Sequence, residues 1–344
     1  MNKTSKRTSI KDVATRAGVS TTLVSFVLND KAEEHRVSQK TVARILKIAR
    51  ELNYRPNRVA KSLRDGYSRV IGVVVSDIGN PFFAQVARCI EKRAEQVGYT
   101  VQFSSSDEDP ARCNTLINEM IYRNVDCMII VPCDGMTESI RKLSTRELPL
   151  VLLDRYLPDL STNYVCLNNA DATYQATQHL IDEGFRRIGL IAYDTTLQHM
   201  TDRIKGYRNA MTDNGLEEEI KVEFVQHAQI HDTTIAALDA MLDAQVDALL
   251  FSTNTITIEC LHEINRRKIR IPEELGVVGF DGSDAYDFFY SPLTYIQQPL
   301  ELMAQKAVEL SISQLSPGDA LMQHIEAGGK LIIRDSSLRK SKKM

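Results

Sequence analysis

The sequence predicts an α/β protein in which a three-helix headpiece precedes two lobes of doubly wound parallel sheet. Residues 1–69 contain short amphipathic helical patterns that are separated by a glycine turn and polar loops. From Val70 onward, apolar segments of strand length alternate with amphipathic helical segments, as expected for parallel sheets that are covered on both faces. The 275 residues of this second pattern are enough for two such lobes.

The headpiece is predicted from signals that start and stop helices. Ser9 and Asp12 form a capping box at the start of the first helix, and Gly18 ends it. Ser20 precedes a second helix that runs to about Leu28, and Ser38 precedes a third. Two helices joined by a short turn with glycine, followed by a third helix, are typical of a helix-turn-helix domain.

The second helix lies in the stretch GVSTTLVSFVLND, residues 18–30, and has two distinct faces. Its apolar residues at helical spacing share the face that turns toward the core. The candidate DNA-binding residues are those at its start and on its other face: Ser20, Thr21, Thr22, Ser25 and Phe26. Phe26 offers a base edge only apolar contact, for instance with a thymine methyl group. The alternative is that Phe26 packs against Tyr54 or the third helix.

A short conditional helix is predicted between the headpiece and the lobes, in the segment NYRPNRVAKSLRDGYSR. Pro56 suits a first helical turn. A helix of about eight residues is marginal alone and forms only when a partner supports it. We therefore expect a hinge over residues 56–68.

Polar residues follow three of the apolar strands in the predicted lobes. They are Asp154 in LVLLDR, Asn254 in FSTNT and Asp281 in GVVGFD. Because ligands of open α/β sheets bind at the carboxyl ends of strands, these side chains are candidate ligand contacts.

Charge is divided unevenly along the chain. Residues 1–69 contain 16 Lys and Arg against 6 Asp and Glu, a net of +10, so that the rest carries −13 of the total of −3. The basic segment is suited to phosphate contact and the acidic remainder is not.

Composition and motifs argue against several other classes of protein. There is no apolar leader or membrane-length apolar run, so a cytoplasmic protein is expected. The six cysteines lack metal-site spacing, and the phosphate-cradling glycine motifs G-x-G-x-x-G and G-x-x-x-x-G-K-[ST] do not occur. We therefore expect no metal, no cofactor and no enzymatic activity.

Ordered blocks along nearly the whole chain resemble the lactose-repressor (LacI/GalR) family of bacterial transcription regulators. They include SIKDVATRAGVS, VSQKTVARIL, YRPNRVAKSLR, IGVVVSDIGNPFF, LVLLDR, DRIKGY, VVGFD and SPLTYIQQP. The resemblance implies a homodimer whose headpieces read a pseudo-palindromic operator. It also implies a periplasmic-binding-protein-like core that binds a small effector between its two lobes.

The resemblance assigns roles to further residues. Leu63 lies where the family places a leucine that wedges into the central minor-groove step of the operator. Asn57, Val59 and Ala60 also match the family's hinge. The alternative is that Leu63 packs against the same residue of the other subunit of the dimer. Arg203 lies where the family has its effector-binding arginine.

Alternatives remain open for the proposed effector contacts. The alternative for Arg203, Asp281, Asp154 and Asn254 is a link that bridges the two lobes. Phe82 and Phe83 could cover an apolar face of the effector or serve the core. Two departures from the family prevent the effector from being inferred from known members. Asn254-Thr255 stands where the family usually has Asn-Asp, and the HAQIHD region lacks the aromatic residue that some members stack on the effector.

The expected organisation is a headpiece over residues 1–55, a hinge over 56–68 and a core over 69–344. The expected function is repression of carbohydrate-utilisation genes under the control of a sugar or sugar derivative. The alternative is a sugar-binding receptor module without a role in gene regulation, which would not need a headpiece.

Overall fold

The computed structural model describes residues 8–54, 66–316 and 321–339. The chain divides into two compact units, residues 1–68 and 69–344. In the first unit, the helices are α1 (Ile10–Ala17), α2 (Thr21–Leu28) and α3 (Gln39–Glu51). This confirms the three-helix headpiece that the capping pattern predicts.

Serine caps start all three headpiece helices. The Ser9 side chain accepts a hydrogen bond from the Asp12 backbone and the Asp12 carboxylate accepts one from the Ser9 backbone, which completes the capping box. Ser20 and Ser38 cap α2 and α3 in the same way with their hydroxyls. Gly18 ends α1 with φ +63°, a left-handed conformation that glycine adopts without a steric penalty. The buried core consists of Val13, Ala14, Ala17, Val24, Val27, Ile45 and Ala49.

The second unit contains twelve strands and nine α-helices among the described residues. The strands are β1 (Val70–Val75), β2 (Thr100–Ser105), β3 (Cys127–Ile130), β4 (Leu150–Leu153), β5 (Asn163–Leu167), β6 (Ile188–Tyr193), β7 (Lys221–Val225), β8 (Ala248–Phe251), β9 (Gly276–Phe280), β10 (Thr294–Gln297), β11 (His324–Ala327) and β12 (Lys330–Ile332). The helices are α4 (Pro81–Gln96), α5 (Pro110–Tyr122), α6 (Thr137–Ser144), α7 (Asn169–Asp182), α8 (Gln198–Asp213), α9 (Ile230–Asp243), α10 (Asn254–Arg267), α11 (Ala285–Phe288) and α12 (Leu300–Ser313).

These elements build two lobes, each around one six-stranded sheet. The N-lobe sheet has the order β11-β5-β4-β3-β1-β2 and the C-lobe sheet has the order β12-β10-β9-β8-β6-β7. All strand pairs are parallel except β10 with β12, so the predicted doubly wound lobes are confirmed. Each sheet is buried on both faces, because a separate hydrophobic cluster covers each side.

The chain crosses between the lobes three times, and these crossings set where a ligand can bind. They lie between β5 and α7, between β10 and α12, and between β11 and β12. The parallel strands of both sheets present their carboxyl ends to the space between the lobes. Across residues 8–54, 66–316 and 321–339, every helix falls short of the apolar length that a bilayer crossing requires.

Candidate ligand-binding cleft and DNA-binding surface

A cavity of about 380 Å³ lies between the two lobes. This volume is within the range of small-molecule sites. All six core residues that the sequence analysis selects line it: Phe82, Phe83, Asp154, Arg203, Asn254 and Asp281. They come from both lobes, because Phe82 and Phe83 begin α4 and Asp154 follows β4, whereas Arg203, Asn254 and Asp281 belong to the C-lobe.

Asp154 and Asp281 turn sharply out of their strands. Both have a left-handed backbone, with φ of +65° and +59°, and both are buried. Burial raises the pKa of Asp154, although Arg155 and Arg203 oppose that change. Burial also raises the pKa of Asp281 to about 6, against the opposing effects of Arg203 and of a 2.8 Å hydrogen bond that Gln298 donates. Keeping these two buried carboxyl groups ionised therefore costs free energy, and in the ionised form they act as hydrogen-bond acceptors.

Arg203 is buried at the C-lobe wall of the cleft. Its Nε donates to Asn169 Oδ1 at 2.8 Å, and its Nη1 donates to the Ser252 carbonyl oxygen at 2.5 Å. The guanidinium carbon lies 3.7 Å from the centroid of the Phe280 ring. Most of this side chain is thus fixed by its own lobe before any ligand binds.

A second buried arginine, which sequence reasoning missed, lines the N-lobe wall. Arg155 forms a bidentate ion pair with Glu108, with nitrogen-to-oxygen distances of 2.8 and 2.6 Å. Although burial alone would favour the neutral forms, hydrogen bonds and charge attraction across the pair raise the pKa of Arg155 and lower that of Glu108. The sequence offered one signal for each of these residues, its position after a predicted strand. It gave no signal for their pairing, because the two residues lie 47 positions apart.

His199 and Gln298 also face the cavity and were not predicted. His199 lies one helical turn before Arg203 on α8, and this spacing is the signal that could have identified it. Burial, together with Arg155 and Arg203, lowers the pKa of His199 well below its usual range, so the imidazole is neutral near pH 7. His199 Nδ1 and Gln298 Oε1 are buried without a hydrogen-bond partner.

Hydrogen bonds join the lobes across the cleft. Asp134 of the N-lobe accepts from the Thr195 and Thr196 hydroxyls of the C-lobe at 2.9 Å each. Asn254 Nδ2 donates to Asn80 Oδ1 at 3.0 Å. These contacts hold the two walls close together. Burial raises the pKa of Asp134, but the hydrogen bonds that Asp134 accepts from Thr195, Thr196 and the Gly135 backbone outweigh burial and leave this pKa below its ordinary value.

Phe82 and Phe83 serve the core as well as the cavity. Their rings meet edge to face with centroids 4.9 Å apart, and both belong to the buried cluster between the N-lobe sheet and α4. Asn80 caps α4 by accepting a hydrogen bond from the Phe82 backbone at 3.0 Å. The two roles considered from the sequence are therefore compatible.

The candidate DNA-binding face of α2 is accessible in the headpiece. Thr21 and Thr22 are exposed, and Ser25 and Phe26 are half-buried. The Phe26 ring stacks on His35, with centroids 3.5 Å apart and planes at 13°, and Phe26 is not part of the buried headpiece core. The ring thus stacks on His35 of the following loop.

The hinge residues Asn57, Val59, Ala60 and Leu63 lie outside the described residues. Within residues 8–54, 66–316 and 321–339, no three His, Cys, Asp or Glu side chains are grouped so that they could hold a metal ion.

Two family models match the chain. Residues 9–57 match the bacterial regulatory proteins of the lacI family, and residues 177–337 match a periplasmic binding protein-like domain. The HTH-type transcriptional repressor PurR of Aliivibrio fischeri (strain MJ11) is 29% identical over 340 residues, which cover 97% of this chain and 99% of the repressor. The HTH-type transcriptional regulator KdgR of Bacillus subtilis (strain 168) is 28% identical over 97% of this chain and 99% of its own length.

Solved structures extend these similarities. The Lac repressor dimer bound to operator and the anti-inducer ONPF matches with a TM-score of 0.85 and 26% identity, covering 97% of this chain and 100% of that chain. The complex of the transcriptional regulator CelR with cellobiose matches with a TM-score of 0.70 and 25% identity, covering 96% and 100%. The similarity thus includes both the headpiece and the lobes.

Proposed function

We propose that this chain is an operator-binding repressor of the lacI type, controlled by a small metabolite in the cleft. The observation that carries this proposal is the presence, in one chain, of a capped helix-turn-helix headpiece and a cleft lined by buried polar groups from both lobes. A sugar receptor without a regulatory role would have no use for the headpiece.

The headpiece supplies the sequence-specific contacts in this proposal. Thr21, Thr22, Ser25 and Phe26 face base edges, and Ser20 lies at the helix terminus where backbone N–H groups approach phosphate. Residues 1–55 act as the headpiece and residues 56–68 as a hinge whose Leu63 wedges into the central step, with Asn57, Val59 and Ala60 beside it. One headpiece reads only half of a pseudo-palindromic site, so the working unit is a homodimer, as in the matched Lac repressor structure.

The cleft supplies control. Phe82, Phe83, Asp154, Arg203, Asn254 and Asp281 contact the effector, which we propose to be a sugar or sugar derivative, and repression concerns genes for carbohydrate use. A ligand that prefers one arrangement of the lobes shifts the protein toward it and changes operator affinity. This function places the protein in the cytoplasm with its DNA, and it assigns the buried carboxylates to ligand binding rather than catalysis.

Operator binding is the decisive experiment. An operator is first selected from random duplex DNA with the full-length protein, and its affinity is then measured as a function of salt. We expect a strongly negative slope of log affinity against log salt, of several units, because the basic residues 1–69 displace counterions from DNA. Residues 70–344 alone should not bind the operator. A truncated protein that still binds it, or a full-length protein that selects no sequence, would contradict the proposal.

A further inference from the structure

Both arginines that line the cleft already have partners. The two terminal nitrogens of Arg155 are engaged by Glu108, and Arg203 uses Nε and Nη1 on Asn169 and Ser252. Arginine often binds a carboxylate or phosphate through two parallel N–H groups that point at the anion. Glu108 therefore already occupies the terminal pair of nitrogens on Arg155, and two of the three nitrogens of Arg203 are held by its own lobe.

The lining is also acidic. Among the described residues, the cavity has two guanidinium groups against six carboxyl groups: Asp77, Glu108, Asp134, Asp154, Asp194 and Asp281. Arg155 neutralises the carboxylate of Glu108, and the positive charge of Arg203 acts on both Asp154 and Asp281. A ligand that brings another negative charge would meet repulsion that water screens poorly in this buried site.

The hydrogen-bonding groups that remain unused suit hydroxyl groups. Among the described residues that line the cavity, three have a buried side-chain atom without a hydrogen-bond partner: His199 at Nδ1, Gln298 at Oε1 and Arg155 at Nε. The Asp154 carboxylate lies 3.7 Å from Arg155 Nε, which is too far for a hydrogen bond. Acceptors thus outnumber donors, and the neutral His199 ring can act as either. A hydroxyl group donates one hydrogen bond and accepts others, so it can satisfy both kinds of atom.

We infer that the cleft selects an uncharged polyhydroxylated effector and rejects the carboxylate and phosphate derivatives of the same compound. This inference rests on the proposed function, because it names the chemical class of the ligand that controls operator binding. Asp154 and Asp281 accept hydroxyl protons from opposite lobes. His199 completes the recognition through Nδ1 and is a specificity-determining position.

Matched sets of ligands test the inference directly. Full-length protein is titrated by calorimetry with neutral pentoses, hexoses and disaccharides, and with the uronic acids and sugar phosphates derived from them. We expect at least one neutral compound to bind, and its acid and phosphate to bind at least tenfold more weakly. An acid or phosphate that binds as tightly as its neutral parent overturns the inference, as does a purine that binds when no neutral sugar does. Failure of every neutral compound to bind also overturns it.

The proposed function is judged separately by operator binding of the ligand-free protein. If the protein binds its selected operator and responds to an anionic metabolite, the regulator assignment stands and only the ligand class is wrong. If the protein selects no operator, the proposed function fails whatever the cleft binds.

A gain of anion binding provides the sharper test. Glu108→Gln removes one negative charge and releases the Arg155 fork, so the affinity ratio of uronic acid to neutral sugar should rise at least tenfold. Glu119→Gln, an exposed change on α5, is the matched control and should leave the ratio unchanged. Because Glu108→Gln leaves a buried cation without its partner and could prevent folding, Asp154→Asn is a second variant that also removes one negative charge. An unchanged ratio in every folded variant would overturn the inference.

His199→Phe tests the specificity role. It keeps a ring of similar size and removes the nitrogen atoms, so neutral-sugar affinity should fall at least tenfold while operator affinity of the ligand-free protein stays the same. His231→Phe, at an exposed histidine on α9, is the control. Unchanged sugar affinity in His199→Phe would remove His199 from the recognition site.

Discussion

The carboxyl group of Asp281 lowers the stability of the empty core at neutral pH. Burial raises its pKa from an ordinary 3.8 to about 6. The folded state therefore holds this proton more tightly than the unfolded state, and the penalty is absent below about pH 4, grows as pH rises and is complete above about pH 6. A shift of this size corresponds to roughly 3 kcal/mol.

Asp281→Asn should remove that penalty. The amide has the same shape, and Asn tolerates the left-handed backbone at this position. We expect the free energy of unfolding of the ligand-free protein to rise by up to about 3 kcal/mol at pH 7.5 and to change little at pH 4. Urea unfolding at both pH values measures the effect, with the exposed Asp159→Asn as control. Equal gains at both pH values would show that the charge of Asp281 carries no such cost.

Phe26 is the residue of the recognition helix whose role is most distinctive. Its ring stacks on His35 and lies outside the headpiece core. Phe26→Arg should therefore keep the fold and change base preference at one symmetric pair of operator positions, because a bidentate contact with guanine contributes about 1–3 kcal/mol of discrimination. Operator selection from random DNA and a thermal melt of the variant measure both outcomes. A headpiece that unfolds would identify Phe26 as a packing residue.

At the scale of elements, the start of α4 joins helix capping to lobe contact. Asn80 Oδ1 accepts from the Phe82 backbone and from Asn254 Nδ2, each at 3.0 Å. Asn80→Ser keeps a cap but is too short for the contact with Asn254, whereas Asn80→Ala loses both. We expect Asn80→Ala to lose about 1 kcal/mol of stability and Asn80→Ser much less. Both should weaken effector binding to a similar degree in calorimetry, and a loss confined to Asn80→Ala would mean that only the cap matters.

The elements that sequence could predict are those with strong local signals. Serine caps fixed the starts of α1, α2 and α3, and continuous apolar runs identified strands such as β1, β4 and β9. The strands β5, β7, β10, β11 and β12 were not predicted. Of these, β7, β11 and β12 are half-exposed edge strands, and their sequences, KVEFV, HIEA and KLI, mix polar with apolar residues. Their positions in the sheets depend on pairing with strands that are distant in the sequence. The periodic pattern of apolar residues carries no information about that pairing.

The same distinction applies to the cleft. Asp154, Asn254 and Asp281 could be selected because strand ends converge at one edge of a parallel sheet. The pairing of Arg155 with Glu108 depends on where two loops meet, and local patterns carry no information about that contact. Arg203 was found through the family resemblance, but only the structure shows that Asn169 and Ser252 already hold it.

At the scale of the whole molecule, control of DNA by a ligand requires that the two arrangements of the lobes bind the ligand unequally. Asp154 and Asp281 belong to opposite lobes. A ligand that contacts both residues therefore binds differently when the distance between the lobes changes. Arg203→Ala is a poor test of this coupling, because it would also leave the buried acceptors on Asn169 and Ser252 unpaired and so reduce stability. Asp281→Asn avoids that loss.

We therefore expect Asp281→Asn to separate DNA binding from ligand response. Its selected operator should bind the ligand-free variant as tightly as the parent, because residue 281 belongs to the core and not to the headpiece. The effector found by calorimetry should bind about ten to a hundred times more weakly, since a hydrogen bond to a charged group contributes about 1.5–3 kcal/mol. Operator affinity should then stop responding at effector concentrations that saturate the parent, as measured by fluorescence anisotropy. If Asp281→Asn responds to the effector like the parent, the ligand lies elsewhere; if it loses operator affinity without ligand, Asp281 sets the lobe equilibrium itself rather than reading the effector.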